Sequence, residues 1–209
     1  LLSKARGGRG NSNDAAPNYY DGAMLANDNE FFLYGGTILD NHEVGVPPDF
    51  DDILEYQAFQ YGAEKELWDP GFYDRKLSDN VTRYIVYGGA ANAPSEKKSW
   101  YFSGLTSPSR GPIYTNAGTN VTVAATKVSD TLITLDTASQ LQENWTNTTL
   151  PDSVKGRANP EVVWVPVGKQ GVLVVLGGVT YPEWAGTTRS HKSDNETASV
   201  SQRLFLERL

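Results

Sequence analysis

Cysteine is absent from all 209 residues. That excludes a disulfide framework, a thiolate nucleophile and a thiolate metal site. Histidine is scarce: His42 and His191 are the only two. Both sit in polar segments far apart in sequence, and a lone loop histidine reads as a solvated side chain. Positive charge is also in short supply, with 18 Lys and Arg against 25 Asp and Glu, a net −7. A nucleic-acid partner needs a basic face, so that class drops out. The longest apolar run is residues 172–176, against about 20 residues for a membrane-spanning helix. No charged n-region followed by an apolar h-region is legible. Neither is a nucleophile beside a base, nor a glycine-rich loop opening a helix. No catalytic residue, cofactor or metal is therefore expected. The acidic stretch holding Asp49, Asp51 and Asp52 has oxygen ligands for Ca2+ but lacks the spacing of a Ca2+ loop. It reads as a charged lead into a strand.

What remains is a folding composition: 39% hydrophobic and 21% charged residues, outside the disordered range. It contains a recurring figure. Residues 171–178, GVLVVLGG, are a short β-branched run bounded by glycines. Upstream lies NPEVVWVPVGKQ, with the turn Gly168-Lys169-Gln170-Gly171 between the two. Two such strands joined by a polar, glycine-bearing turn make a hairpin. YYDGAML, the turn Ala26-Asn27-Asp28-Asn29 and EFFLYGG repeat it.

Gly88-Gly89 looks like a third hairpin end but breaks the spacing. The better match is Ser103-Gly104, after the turn Pro94-Ser95-Glu96-Lys97. Arg83 precedes Gly104 by 21 residues, and Arg157 precedes Gly178 by 21. Gly88-Gly89 then falls in the first strand of its hairpin, opposite Val162-Val163. The marks Gly35-Gly36, Ser103-Gly104 and Gly177-Gly178 end at 36, 104 and 178, at intervals of 68 and 74 residues. Further on, ILEYQ at 53–57 matches LITLD at 132–136, and Trp68 and Trp145 follow. Each unit is thus four strands. The pattern predicts antiparallel strands over 84–91, 99–102, 132–135, 162–167 and 172–176, with Trp145 buried against the next hairpin.

A twisted four-stranded sheet cannot bury both faces alone, but sheets stacked around an axis bury one another. Paired glycines supply conformations that a side chain penalises. The tryptophans supply large apolar bodies for the sheet faces, with a sugar-stacking platform as the alternative role. These residues resemble the kelch repeats of a β-propeller. NVTRYIVYGGAANAPSEKKSWYFSG and ENWTNTTLPDSVKGRANPEVVWVPV are similar to secreted or cell-wall-anchored kelch proteins of filamentous fungi. The resemblance implies an all-β, partial propeller of antiparallel four-stranded blades, about two and a half of them in an open arc. It covers residues 15–182. Residues 1–14 are expected as a flexible lead-in, and 183–209 as a polar loop and the truncated start of the next strand. The chain is thus expected to be a fragment. Its units exceed the kelch length of about 50 residues. The excess falls at 37–52 and 105–130, expected as loops on one rim, where propellers bind partners.

Asn80, Asn120, Asn144, Asn147 and Asn195 each begin an Asn-x-Ser/Thr sequon; chance supplies roughly one or two in such a chain. They are glycosylation candidates, the alternative being turn asparagines and strand threonines. The expected function is therefore a non-enzymatic, extracellular or cell-surface propeller that binds protein or glycan, with association through exposed blade faces. The alternative is a fragment of an extracellular carbohydrate-active or galactose-oxidase-like enzyme with its catalytic residues in other blades. The copper site that such a resemblance implies needs a cysteine crosslinked to tyrosine, which this chain lacks.

Overall fold

Apolar and polar residues alternate along the hairpins, and that period of two dictates strands with distinct faces. The computed structural model describes residues 19–38, 51–57, 73–78, 80–115, 117–139 and 143–180. Its strands are β1 (Tyr19–Tyr20), β2 (Ala23–Ala26), β3 (Glu30–Tyr34), β4 (Thr37–Ile38), β5 (Asp52–Gln57), β6 (Tyr73–Lys76) and β7 (Gly89–Ala93). They continue with β8 (Lys98–Phe102), β9 (Leu105–Thr106), β10 (Lys127–Val128), β11 (Thr131–Asp136), β12 (Asn144–Thr149), β13 (Ala158–Val165) and β14 (Val172–Val179). The chain is all-β, and every strand ladder is antiparallel. One 3-10 turn, Pro94–Glu96, is the only helical element among the described residues. None of them forms a helix long and apolar enough to cross a membrane.

Three sheets carry the fold. The first runs β2-β3-β5-β6, the second β7-β8-β11-β12, and the third is the hairpin β13–β14. They stack face to face in chain order. Leu25, Phe32, Tyr34 and Ile53 of the first sheet meet Tyr101, Ile133, Leu135 and Trp145 of the second. On its other face the second sheet packs Ala91, Trp100, Phe102 and Leu132 against Val162, Leu173 and Val175 of the third. The middle sheet is therefore covered on both sides, which explains why Ser99–Phe102 of β8 is buried throughout. At one end of the stack Val86, Leu105, Ile113 and Ala158 form a smaller core.

Three details differ from the sequence-based expectation. The strand expected over 84–91 begins only at Gly89, because Tyr87 is left-handed at φ 56 and breaks the extended run. The strand expected over 162–167 is instead Ala158–Val165. Trp145 is buried, but against the preceding sheet and not the next hairpin: its ring stacks on Tyr34 at 5.5 Å and meets Phe32 edge-on at 5.6 Å. Side chains i and i+2 share a strand face, and the face of β12 that holds Trp145 looks back toward the first sheet.

Candidate functional site

A backbone arrangement recurs at the seam between successive sheets. At each hairpin end the ladder is interrupted and then resumes, over two residues of each strand in the first two hairpins and over one, Asn159 opposite Gly178, in the third, where Pro160 still pairs Gly177. Ala23 pairs Tyr34, and pairing resumes at Tyr20 with Thr37. Gly89 pairs Phe102, and Val86 then bridges Leu105. Glu161 pairs Leu176, and Ala158 pairs Val179. Between these points the returning strand carries Gly35-Gly36, Ser103-Gly104 or Gly177-Gly178, and all six residues have positive φ, from 54 to 108. The facing strand carries Asp21, Tyr87 or Asn159, left-handed at φ 59, 56 and 52. That second series was not read from the sequence, because Asp, Tyr and Asn share no motif; the shared property is backbone conformation.

The left-handed turns aim backbone groups across the seam. Tyr87 N–H donates to the Asp21 carbonyl at 3.1 Å, and Asn159 N–H donates to the Tyr87 carbonyl at 2.6 Å. In parallel, Gly36 N–H donates to the Ile85 carbonyl at 2.8 Å, and Gly104 N–H to the Arg157 carbonyl at 3.1 Å. A Cβ on Gly35 would lie 2.4 Å from the Ile85 carbonyl oxygen. Ser103 stands in the same place in the second sheet and uses its hydroxyl instead, accepting from Arg157 N–H at 2.7 Å and donating to the Ser129 carbonyl at 2.6 Å.

This seam revises one equivalence. Arg157 corresponds to Ile85, not to Arg83. Each hairpin is two residues longer than the one before, judged by the pairs Ala23–Tyr34, Gly89–Phe102 and Glu161–Leu176. Counting back equal distances from the diglycine therefore slips by two, and Gly88-Gly89 corresponds to Pro160-Glu161. Both arginines are buried at 2% exposure. Arg157 Nη1 donates to the Gly177 carbonyl at 2.7 Å. Gly88 and Gly89 lie outside the positive-φ set and are glycine for space. A Cβ on Gly88 would strike the Tyr101 ring at 2.4 Å, and one on Gly89 would strike Val162 of the next sheet at 2.4 Å.

A second tie joins the first two sheets. The Asn92 amide mimics a strand edge: its Oδ1 accepts from Ala26 N–H at 2.9 Å, and its Nδ2 donates to the Met24 carbonyl at 3.3 Å. Tyr34 donates its hydroxyl to the Thr82 carbonyl at 2.7 Å, and Tyr101 accepts from Gly88 N–H at 2.8 Å. Burial raises both tyrosine pKa values well above the ordinary range. Tyr87, at the seam, is raised by burial first and then by the charge of Asp21 and a hydrogen bond to it.

Among the described residues, shallow depressions lie at opposite ends of the first sheet. One, of about 210 Å3, is lined by the turn residues Asn27, Asp28 and Asn29 together with Pro94, Lys97 and Thr137. The other, of about 240 Å3, lies over Asp21, Ala23, Met24 and Leu33. The connection 105–130 occupies the diglycine end. It begins in β9, returns through β10, and is pinned between by Ile38 N–H donating to the Ile113 carbonyl at 2.7 Å.

Of the glycosylation candidates, Asn80, Asn120, Asn144 and Asn147 are exposed. Asn80 and Asn147 lie together, with Asn147 Nδ2 donating to the Asn80 carbonyl at 2.6 Å. Trp68, His42, Asp49, His191 and Asn195 lie outside the described residues, as do 1–14 and 183–209. Asp51 accepts from Lys76 Nζ at 3.1 Å. Among the described residues no group of three or more His, Asp or Glu is placed to hold a metal.

No family model matches the chain, and no curated protein matches it. Among solved structures it is similar to one described as "Structure of YjhT", at a TM-score of 0.48 and 13% identity, over 79% of this chain. The chain spans 45% of the length of that structure.

Proposed function

We propose that this chain is a partial kelch-type β-propeller, an open arc of about two and a half four-stranded blades, which binds protein or glycan at the fungal cell surface without catalysing a reaction. One observation carries the reading: the seam recurs. A left-handed residue, a positive-φ pair and two backbone hydrogen bonds join the first sheet to the second and the second to the third. A backbone device repeated at intervals of 68 and 74 residues is what a propeller requires of its blades. The exposed sequons support an extracellular setting, since a glycan needs an outward-facing acceptor. The connection 105–130 is the proposed partner surface. It is held at both ends yet exposes Arg110, Thr119, Val121 and Thr122, and binding residues concentrate on loops set by a rigid scaffold.

Retention of the purified chain on immobilised fungal wall glycans and wall proteins tests this. The chain should be retained, and a variant with 118–122 replaced by a Gly-Ser linker should pass through while keeping its β-sheet circular dichroism. Equal retention of both proteins would overturn the placement, and no retention of either would overturn the reading. Metal analysis after dialysis should find less than one equivalent of copper or iron per chain.

A further inference from the structure

Asn120 begins a sequon and also lies inside the exposed stretch 118–122 of the 105–130 connection. The turn that carries it is closely braced. Asn120 N–H donates to the Ala117 carbonyl at 2.9 Å, and Val123 N–H donates to the Asn120 carbonyl at 3.3 Å. Tyr114 N–H donates to the Val123 carbonyl at 3.2 Å. Ser109 donates its hydroxyl to the Thr122 carbonyl at 2.7 Å, which brings the neighbouring, exposed Arg110 alongside. The Asn120 side chain uses one end only. Its Oδ1 accepts from Thr122 N–H at 3.2 Å, while its Nδ2 has no partner among the described residues. A sugar joined to Nδ2 therefore costs the turn no hydrogen bond. Asn147 is the contrast, with its Nδ2 spent on the Asn80 carbonyl at 2.6 Å.

The polypeptide around this turn is poor in anchors. Binding hot spots are enriched in Trp, Tyr and Arg, and Ser, Thr and Val are under-represented among them. Apart from Arg110, the exposed described residues of 108–122 are Pro, Ser, Thr, Gly, Asn and Val. The one aromatic residue of the whole connection, Tyr114, is partly buried. No exposed ring is therefore there for a bound sugar to stack upon. The turn is suited to displaying a sugar rather than to receiving one.

We infer that Asn120 carries an N-linked glycan, and that this glycan, with Arg110 beside it, is what the partner of the 105–130 connection reads, so that the partner is a carbohydrate-recognising protein. The inference rests on the extracellular, partner-binding reading above. An N-glycan is bulky, so a partner that approaches 118–122 meets it first. In the joining step Nδ2 bonds to C1 of the first sugar of a lipid-linked oligosaccharide; the lipid pyrophosphate leaves, and the amide gives up one proton. The product is a secondary amide whose Oδ1 still accepts from Thr122 N–H.

The test uses the whole chain secreted from a eukaryotic host. Peptide mapping should find glycan on Asn120, and an empty Asn120 would overturn the inference. The glycoprotein should be retained by immobilised fungal wall proteins and eluted by an excess of the oligosaccharide released from it. After enzymatic removal of its N-glycans, retention should fall about tenfold or more, as for loss of a principal anchor. Thr122→Ala should fall equally, because it abolishes the sequon while keeping the Asn120 side chain and the backbone bonds of the turn. Asn144→Gln, which removes a different sequon, should be retained like wild type. Equal retention with and without glycan would mean that the polypeptide is read; that would overturn the inference and leave the connection as the partner surface. Loss of retention in Asn144→Gln would place recognition on another glycan and overturn it too, as would retention on wall glycans alone. No retention of any form would overturn the partner-binding reading and this inference together, so the retained, deglycosylated chain is the outcome that separates the two.

Discussion

Gly104 and Gly177 both sit at positive φ, 102 and 62, but in different surroundings. A Cβ on Gly104 would meet the Val86 carbonyl oxygen at 2.5 Å, whereas one on Gly177 would meet nothing within 4 Å. Gly177→Ala should therefore lose only the left-handed conformational term, about 1 kcal/mol. Gly104→Ala adds a backbone collision at the seam and should lose about 2–4 kcal/mol. Urea titrations of the two variants measure the difference, and equal losses would remove the special role of the seam. Tyr34 and Tyr101 set a pH limit. Their folded-state pKa values lie above the ordinary 10.0 of the unfolded chain. Their neutral forms are favoured by folding, so that contribution is complete below pH 10 and is lost as pH rises above it. Stability should fall above about pH 10, by up to about 1.4 kcal/mol per pH unit for each tyrosine. The Tyr34→Phe, Tyr101→Phe double variant should flatten that fall, and melts at graded pH will show whether it does.

At the scale of the element, β12 is the informative strand. Its sequence, NWTNTT, buries only Trp145. The strand is held by the ladder to β11 and by that ring against Phe32 and Tyr34. Trp145→Ala should cost about 3–5 kcal/mol and weaken the junction of the first two sheets more than that of the second and third. Hydrogen exchange should show faster exchange in β2 and β3 than in β13 and β14; a uniform effect would contradict the backward-facing placement. The same strand begins two sequons. Secretion from a eukaryotic host should yield glycopeptides at Asn144 or Asn147 of this strand and at Asn120 of the 105–130 connection, detected by the mass shift on deglycosylation. Their complete absence would remove the main support for a secreted glycoprotein.

For the whole molecule, two interior seams are buried while two end faces expose Met24, Val163 and Leu176. Stability in stacked repeats is roughly intrinsic terms plus interfaces, so covering the end faces adds to it. Because association stabilises by mass action, the melting temperature should rise with protein concentration. A sharp transition independent of concentration would show that the arc is self-sufficient.

Much of the local pattern was legible in the sequence because near neighbours decide it. Strand alternation placed 132–135 within Thr131–Asp136 and 172–176 within Val172–Val179. The turn Pro94–Lys97 follows from a fixed proline φ and a left-handed Lys97. ILEYQ and LITLD align in the structure as they do in sequence, Leu54 and Ile133 each facing the corresponding residue of its hairpin, Leu33 and Tyr101. Tertiary structure alone decided the rest. Hairpin length changes by two residues from sheet to sheet, which makes Ile85, and not Arg83, the counterpart of Arg157. Which neighbour Trp145 meets depends on which face of the second sheet packs against the first. The left-handed residues Asp21, Tyr87 and Asn159 share no side-chain chemistry. Their common φ is imposed by backbone hydrogen bonds to a sheet more than 60 residues away, and no local pattern of residues encodes a contact made at that distance.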